Sequence, residues 1–157
     1  MYNIIIETND GGARVMNEEE KRTYKWFREI VHEVGSNNNS DILEYIMLLP
    51  DLFYLLCKLM MDKDVPRKSK RIVAIAVAYM VSPINLVPNL IPGLGLLDDV
   101  AVCIYALNKI IANTDIEVLN RHWYGTGKLL NTINDFISKA DDLIGSGLLK
   151  KIKSMFL

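Results

Sequence analysis

The stretch Ile72-Val73-Ala74-Ile75-Ala76-Val77-Ala78-Tyr79-Met80-Val81-Ser82-Pro83-Ile84-Asn85-Leu86-Val87-Pro88-Asn89-Leu90-Ile91-Pro92-Gly93-Leu94-Gly95-Leu96-Leu97 decides how this chain folds. It runs for 26 residues without a formal charge, which satisfies the length criterion for a membrane span. Its composition argues otherwise. Pro83, Pro88 and Pro92, with Gly93 and Gly95, interrupt it, and a proline inside a helix removes a backbone donor and clashes with the preceding turn. Only 72–82 escapes these breaks, a helix of roughly 16 Å at 1.5 Å per residue, about half a bilayer core. The reading is an apolar helix over 72–82, a buried irregular loop over 83–95, and a second helix over 97–111. Leu97, Val100, Ala101, Ile104 and Ile111 share one face of that second helix.

Upstream of this stretch, Lys63 to Arg71 is a charged connector in which Pro66 is placed to begin the next helix. Residues 42–61 are dense in Leu, Ile, Met, Phe and Tyr. Pro50 divides them, since proline is favoured as a first helical residue, so helices are expected near 41–48 and 50–62, with a single kinked helix as the alternative. A polar break over Gly35 to Ser40 separates these from an earlier segment that opens with Glu18, Glu19 and Glu20. Acidic residues suit the positive end of a helix dipole, and Phe27, Ile30, Val31 and Val34 follow at the spacing of one helix face. Residues 1–16 hold a three-isoleucine run and the turn signal Asn9-Asp10-Gly11-Gly12, with no second strand-like run to pair with. They read as an arm, with disorder as an alternative.

Downstream, Asn113-Thr114-Asp115 ends one helix and starts a short segment, and Arg121 to Gly127 reads as a turn. Leu129, Ile133, Phe136, Ile137, Ala140 and Ile144 then form a helical stripe. After Gly145-Ser146-Gly147, the tail carries Leu148, Leu149, Ile152, Met155 and Phe156 on one arc and Lys150, Lys151 and Lys153 on the other side. The organisation is an arm over 1–16, an amphipathic helix and polar linker over 17–39, a helical domain over 40–112, and amphipathic helices over 113–157. The expected fold is all-α, a compact bundle of six to seven helices.

Composition sets the class. At 157 residues and 50% hydrophobic, the chain can bury the core of one ordinary domain, which excludes disorder. With 18 basic and 19 acidic residues, no excess of charge points to nucleic acid. Cys57 and Cys103 lie in apolar runs and read as reduced core thiols. Met1 to Glu7 has no basic opening or long apolar segment, so no secretory signal is expected.

Tyr79, Ser82, Pro83, Asn85, Pro88, Asn89, Pro92, Gly95, Asp98 and Asp99 together resemble the signature of the YkvA-like domains, a bacterial family of unknown function. Val65-Pro66 also sits where such domains usually have it. Asn85 and Asn89 depart from the pattern, because the family usually has Asp at both places. The resemblance implies a small helical domain, frequently membrane-associated, over roughly 40–112. It supplies no substrate, cofactor or catalytic residue.

Asp98 and Asp99 are the natural candidates for a cation site, with the amide oxygens of Asn85 and Asn89 as further ligands. A helix-dipole role in a first turn carries more weight, because amides replace the anionic ligands a cation prefers. No metal and no cofactor is expected. His32 sits on a charged helix and His122 in a turn, with no Ser or Cys partner at a motif spacing, so no catalytic residue is assigned. The proline-rich segment either presents Asn85 and Asn89 to a ligand or simply fixes the chain direction. Arg67, Lys68, Lys70 and Arg71, with Lys150, Lys151 and Lys153, are candidate contacts to anionic lipid. The favoured expectation is a non-catalytic protein on the cytoplasmic face of the cell membrane, with membrane lipids as partners and no nucleic acid. A cytoplasmic helical module with a protein partner or self-association is the alternative, and a metal-dependent enzyme using Asp98 and Asp99 comes third.

Overall fold

The computed structural model describes residues 5–7, 13–81 and 94–156. A short antiparallel pair, β1 (Ile5–Glu7) and β2 (Ala13–Val15), precedes eight helices: α1 (Glu18–Gly35), α2 (Ser40–Ile46), α3 (Leu49–Met61), α4 (Arg67–Val81), α5 (Leu94–Ile110), α6 (Ile116–Asn120), α7 (Leu129–Ile144) and α8 (Ser146–Ser154). The architecture is an all-α bundle, as expected, with one helix more than the count from sequence. The strand pair corrects the reading that the isoleucine run has no partner: Ile5 lies opposite Val15, Ile6 opposite Arg14 and Glu7 opposite Ala13. Ala13-Arg14-Val15 is too short and too mixed to announce itself as a strand, and only its pairing reveals it.

Local chemistry sets the helix ends. Asn17 caps α1 with a reciprocal capping box: its side chain accepts from the N–H of Glu20, whose carboxylate accepts from the N–H of Asn17. The Asn39 side chain accepts from the N–H of Ile42 to start α2, and Pro50 lies in the first turn of α3 where its missing N–H costs nothing. Gly35 allows α1 to end against α2, since a Cβ there would sit 3.0 Å from Leu43 and 3.2 Å from Ile46.

The centre of the bundle is α5. Every residue from Leu97 to Leu107 is buried, so this helix is covered on all sides rather than on the single face that periodicity suggested. Helices α2, α3, α4, α7 and α8 pack against it. A helix that is apolar all round must be a core element or a membrane span, and here its neighbours supply the cover. The α7 stripe is as expected, with Leu129, Ile133, Phe136 and Ala140 buried. On α1 the buried positions are Tyr24, Val31 and Gly35, whereas Ile30 and Val34 are about two-fifths exposed.

One further expectation changes. The apolar arc of the tail does not face outward: Leu149, Ile152 and Phe156 are buried, and α8 packs on α5 and α7. The uncovered side of α5 offers this arc the same apolar contact that a lipid surface would. Of the buried loop expected over 83–95, residues 83–93 lie outside the described residues, and 94 and 95 belong to α5. Among the described residues no helix is long and apolar enough to cross a membrane.

Candidate functional site

Between α1, α3, the end of α4 and the start of α5 lies a cleft of about 560 Å³. Its walls are mostly aromatic and aliphatic, and Trp26, Phe27, Phe53, Met80 and Leu96 are among them. Phe27 meets Phe53 edge to face, with ring centroids 5.7 Å apart, and Tyr24 meets Tyr54 in the same way at 6.3 Å. At the rim, Trp26 is 61% exposed, Met61 69% and Val81 68%. Such large apolar side chains in water, gathered around one opening, are the mark of a binding surface.

Charged groups on the cleft wall fall into two kinds. Lys58 and Glu20 form an ion pair at 2.5 Å. The Lys58 hydrogen bond holds the Glu20 carboxyl below its ordinary value, against the upward pull of burial. Asp99 lacks such a partner: it is only 9% exposed and its Oδ1 accepts no hydrogen bond. Burial first, and then the neighbouring Asp98 charge, push the Asp99 carboxyl up to about 7. Asp98, fully buried, points to a different neighbour, and the Tyr79 hydroxyl on α4 donates to its Oδ2.

The first-turn reading of Asp98 and Asp99 is therefore corrected. Because α5 starts at Leu94, both lie beyond its first turn, which holds no acidic residue. The dipole effect falls off within that turn. Of the signature residues, the structure brings Tyr79 and Asp98 together and opens Asp99 to the cleft, and Gly95 falls in the first turn of α5. Ser82, Pro83, Asn85, Pro88, Asn89 and Pro92 lie outside the described residues. Among the described residues no group of three or more His, Cys, Asp or Glu gathers around a common point.

Elsewhere, Asp51 on α3 is buried and accepts from the Tyr24 hydroxyl at 2.5 Å. Burial raises its carboxyl above the ordinary range, although the Tyr24 hydrogen bond and the Arg28 charge pull it down. In the connector before α4, the Asp62 carboxylate is 3.0 Å from Arg121 and 2.6 Å from His122 Nε2. Burial pushes Asp62 up, but the N–H of Asp64, His122 and Arg121 together outweigh it and leave the carboxyl lowered. His122 thus ties the turn after α6 to the connector. His32 is exposed on α1. Neither Asp51 nor Asp62 was singled out from sequence, because their partners lie 27 and 60 residues away. The cleft's rim was equally hidden: Trp26 falls beside the expected apolar stripe of α1, not on it.

The basic candidates lie on two helices. Arg67, Lys68 and Arg71 are exposed in the first turns of α4 and Lys70 is half-buried, and none of the four forms an ion pair with a described residue. Lys150, Lys151 and Lys153 are exposed on α8, with the Lys153 ammonium 5.7 Å from the centre of the Tyr105 ring.

Comparison with known proteins gives a relative and a family. The chain is 24% identical over 107 residues to an uncharacterised protein, ORF9, of Methanothermobacter thermautotrophicus, an alignment that covers 68% of this chain and 71% of the relative. No solved structure shows significant similarity. The cleft's two carboxyl-terminal contributors, α4 and the first half of α5, coincide with a stretch that a family model recognises. Over residues 69–105 the chain matches the family described as protein of unknown function (DUF1232), the YkvA-like family that its signature resembles.

Proposed function

We propose that this protein is a non-catalytic binding module that takes the apolar part of a small amphiphile into the cleft between α1, α3, α4 and α5. The observation that carries this reading is the cleft itself: about 560 Å³ falls within the range of small-molecule sites, and its opening is ringed by exposed Trp26, Met61 and Val81. In this reading the module works at the cytoplasmic face of the cell membrane, where amphiphiles concentrate, and the exposed apolar rim supports it. Exposed Arg67, Lys68 and Arg71 suit an anionic lipid surface, each contributing about 1 kcal/mol close to it. Docking through a rim needs no spanning helix. The burial of the α8 arc leaves only lysines of that helix to take part.

Co-sedimentation with vesicles tests the reading. The full chain is expected to pellet with phosphatidylglycerol-containing vesicles at low salt, and to be released as salt rises. The triple variant Trp26→Ser, Met61→Ser, Val81→Ser is expected to stay in the supernatant. Equal pelleting of both proteins would remove the rim from the interaction. A chain that never pellets would favour a module that acts away from the membrane.

A further inference from the structure

The cleft's chemistry specifies more than an apolar guest. Buried acceptors in folded proteins are almost always matched by a donor, yet Asp99, a nine-tenths-buried residue of the cleft wall, has none at its Oδ1. The other charged wall residues cannot serve it, because Lys58 and Glu20 satisfy each other. We propose that the cleft's natural ligand is a single-chain molecule ending in a protonated amine, with its chain among Phe27, Phe53 and Leu96 and its ammonium paired with the Asp99 carboxylate. This assignment rests on the reading of the cleft as a site for small amphiphiles, and it names the head group.

Three features select a cation over a neutral donor. The next residue in the chain, Asp98, is also a buried carboxyl, so the local potential is negative on two counts. The approach is lined by aromatic faces, Trp26, Phe27 and Phe53, which attract a positive charge more than a hydroxyl. An ammonium also carries three donors, enough to serve the carboxylate and further acceptors at once. An anionic head meets the opposite: it would face Asp99 with no unpaired lysine or arginine on the described cleft wall. In the empty protein the carboxyl is held at about 7, so near neutral pH it exchanges a proton for the incoming cation.

The test titrates the full chain with decylamine, decanol and decanoate, reading the fluorescence of Trp26, with Trp26→Phe as the optical control. At about pH 8 decylamine is expected to bind at least roughly tenfold more tightly than decanol, with decanoate weakest. Asp99→Asn should bring decylamine down to the decanol value and leave decanol unchanged. In the unmodified protein, decylamine affinity should fall about tenfold between pH 8 and pH 6 as the carboxyl gains its proton, while decanol stays level. This second measurement does not depend on the variant's folding. Equal binding of decylamine and decanol, or amine binding indifferent to both Asp99→Asn and pH, overturns the head-group assignment and leaves the apolar cleft standing. Failure of all three probes overturns both.

Discussion

Asp99 makes the folded protein sensitive to pH in a direction opposite to most carboxylates. In the unfolded chain its carboxyl ionises near 3.8; in the folded chain, at about 7. Between these values the folded state keeps a proton that the unfolded state has lost, so stability falls as pH rises through the window and levels off above 7. At about 1.4 kcal/mol per pKa unit, the deficit is on the order of 4 kcal/mol near pH 8 and about 2 kcal/mol near pH 5. Asp99→Asn removes the titration but keeps the shape. Its buried amide brings a cost of its own, about 1–3 kcal/mol, which does not vary with pH. The quantity to measure is therefore the change in the difference between the two proteins. Urea unfolding of both at pH 5 and pH 8 should show the wild type losing on the order of 2–3 kcal/mol relative to the variant. Parallel pH dependences would mean that Asp99 is solvated or paired in the folded state, and the account of its burial would be wrong.

Other consequences follow from packing and pairing. Asp62→Asn removes a carboxyl held low by its partners, so the variant should be less stable at neutral pH. The gap to wild type should close as acid protonates Asp62, and thermal unfolding across pH 3–7 checks both. Ile152→Ala opens a cavity where α8 meets the bundle and should cost about 2–5 kcal/mol in chemical denaturation. A loss under about 1 kcal/mol would mean that the tail is not docked. Gly125→Ala would put a methyl 2.1 Å from the Trp123 ring, and the displaced indole would give up its hydrogen bond to the Gly127 carbonyl. A cost of about 1–3 kcal/mol is expected, seen as a lower unfolding midpoint and a changed near-ultraviolet signal from Trp123.

The helices were legible because their signals are local. Pro50 opened α3 and the 129–144 stripe gave α7, each within a residue or so of its observed bounds. Signals that need a distant partner were not legible. Periodicity assigned α5 one buried face, since nothing in a single segment says how many neighbours will surround it. The tail arc read equally well as lipid-facing or self-packing, because an apolar arc looks the same before whatever covers it. Asp98 and Asp99 were given to the helix dipole for want of three residues: had the helix been started at Leu94, they would have been recognised as interior carboxyls. The cleft needed α1 and α3 to be laid side by side, and no spacing along the chain brings Trp26 to Met61.

The all-round burial of α5 also sets a schedule for biosynthesis. When the ribosome has completed Ile110, part of the cover for this helix does not yet exist: α7 and α8, with Ile133, Phe136, Leu149 and Ile152, have still to be made. At about 5–20 residues per second, that interval lasts on the order of seconds. Through it the side of α5 that α7 and α8 will cover has no partner, although α2, α3 and α4 are already there to pack on the rest. The growing chain is thus at its stickiest until α7 and α8 have emerged, and their arrival closes α5 over.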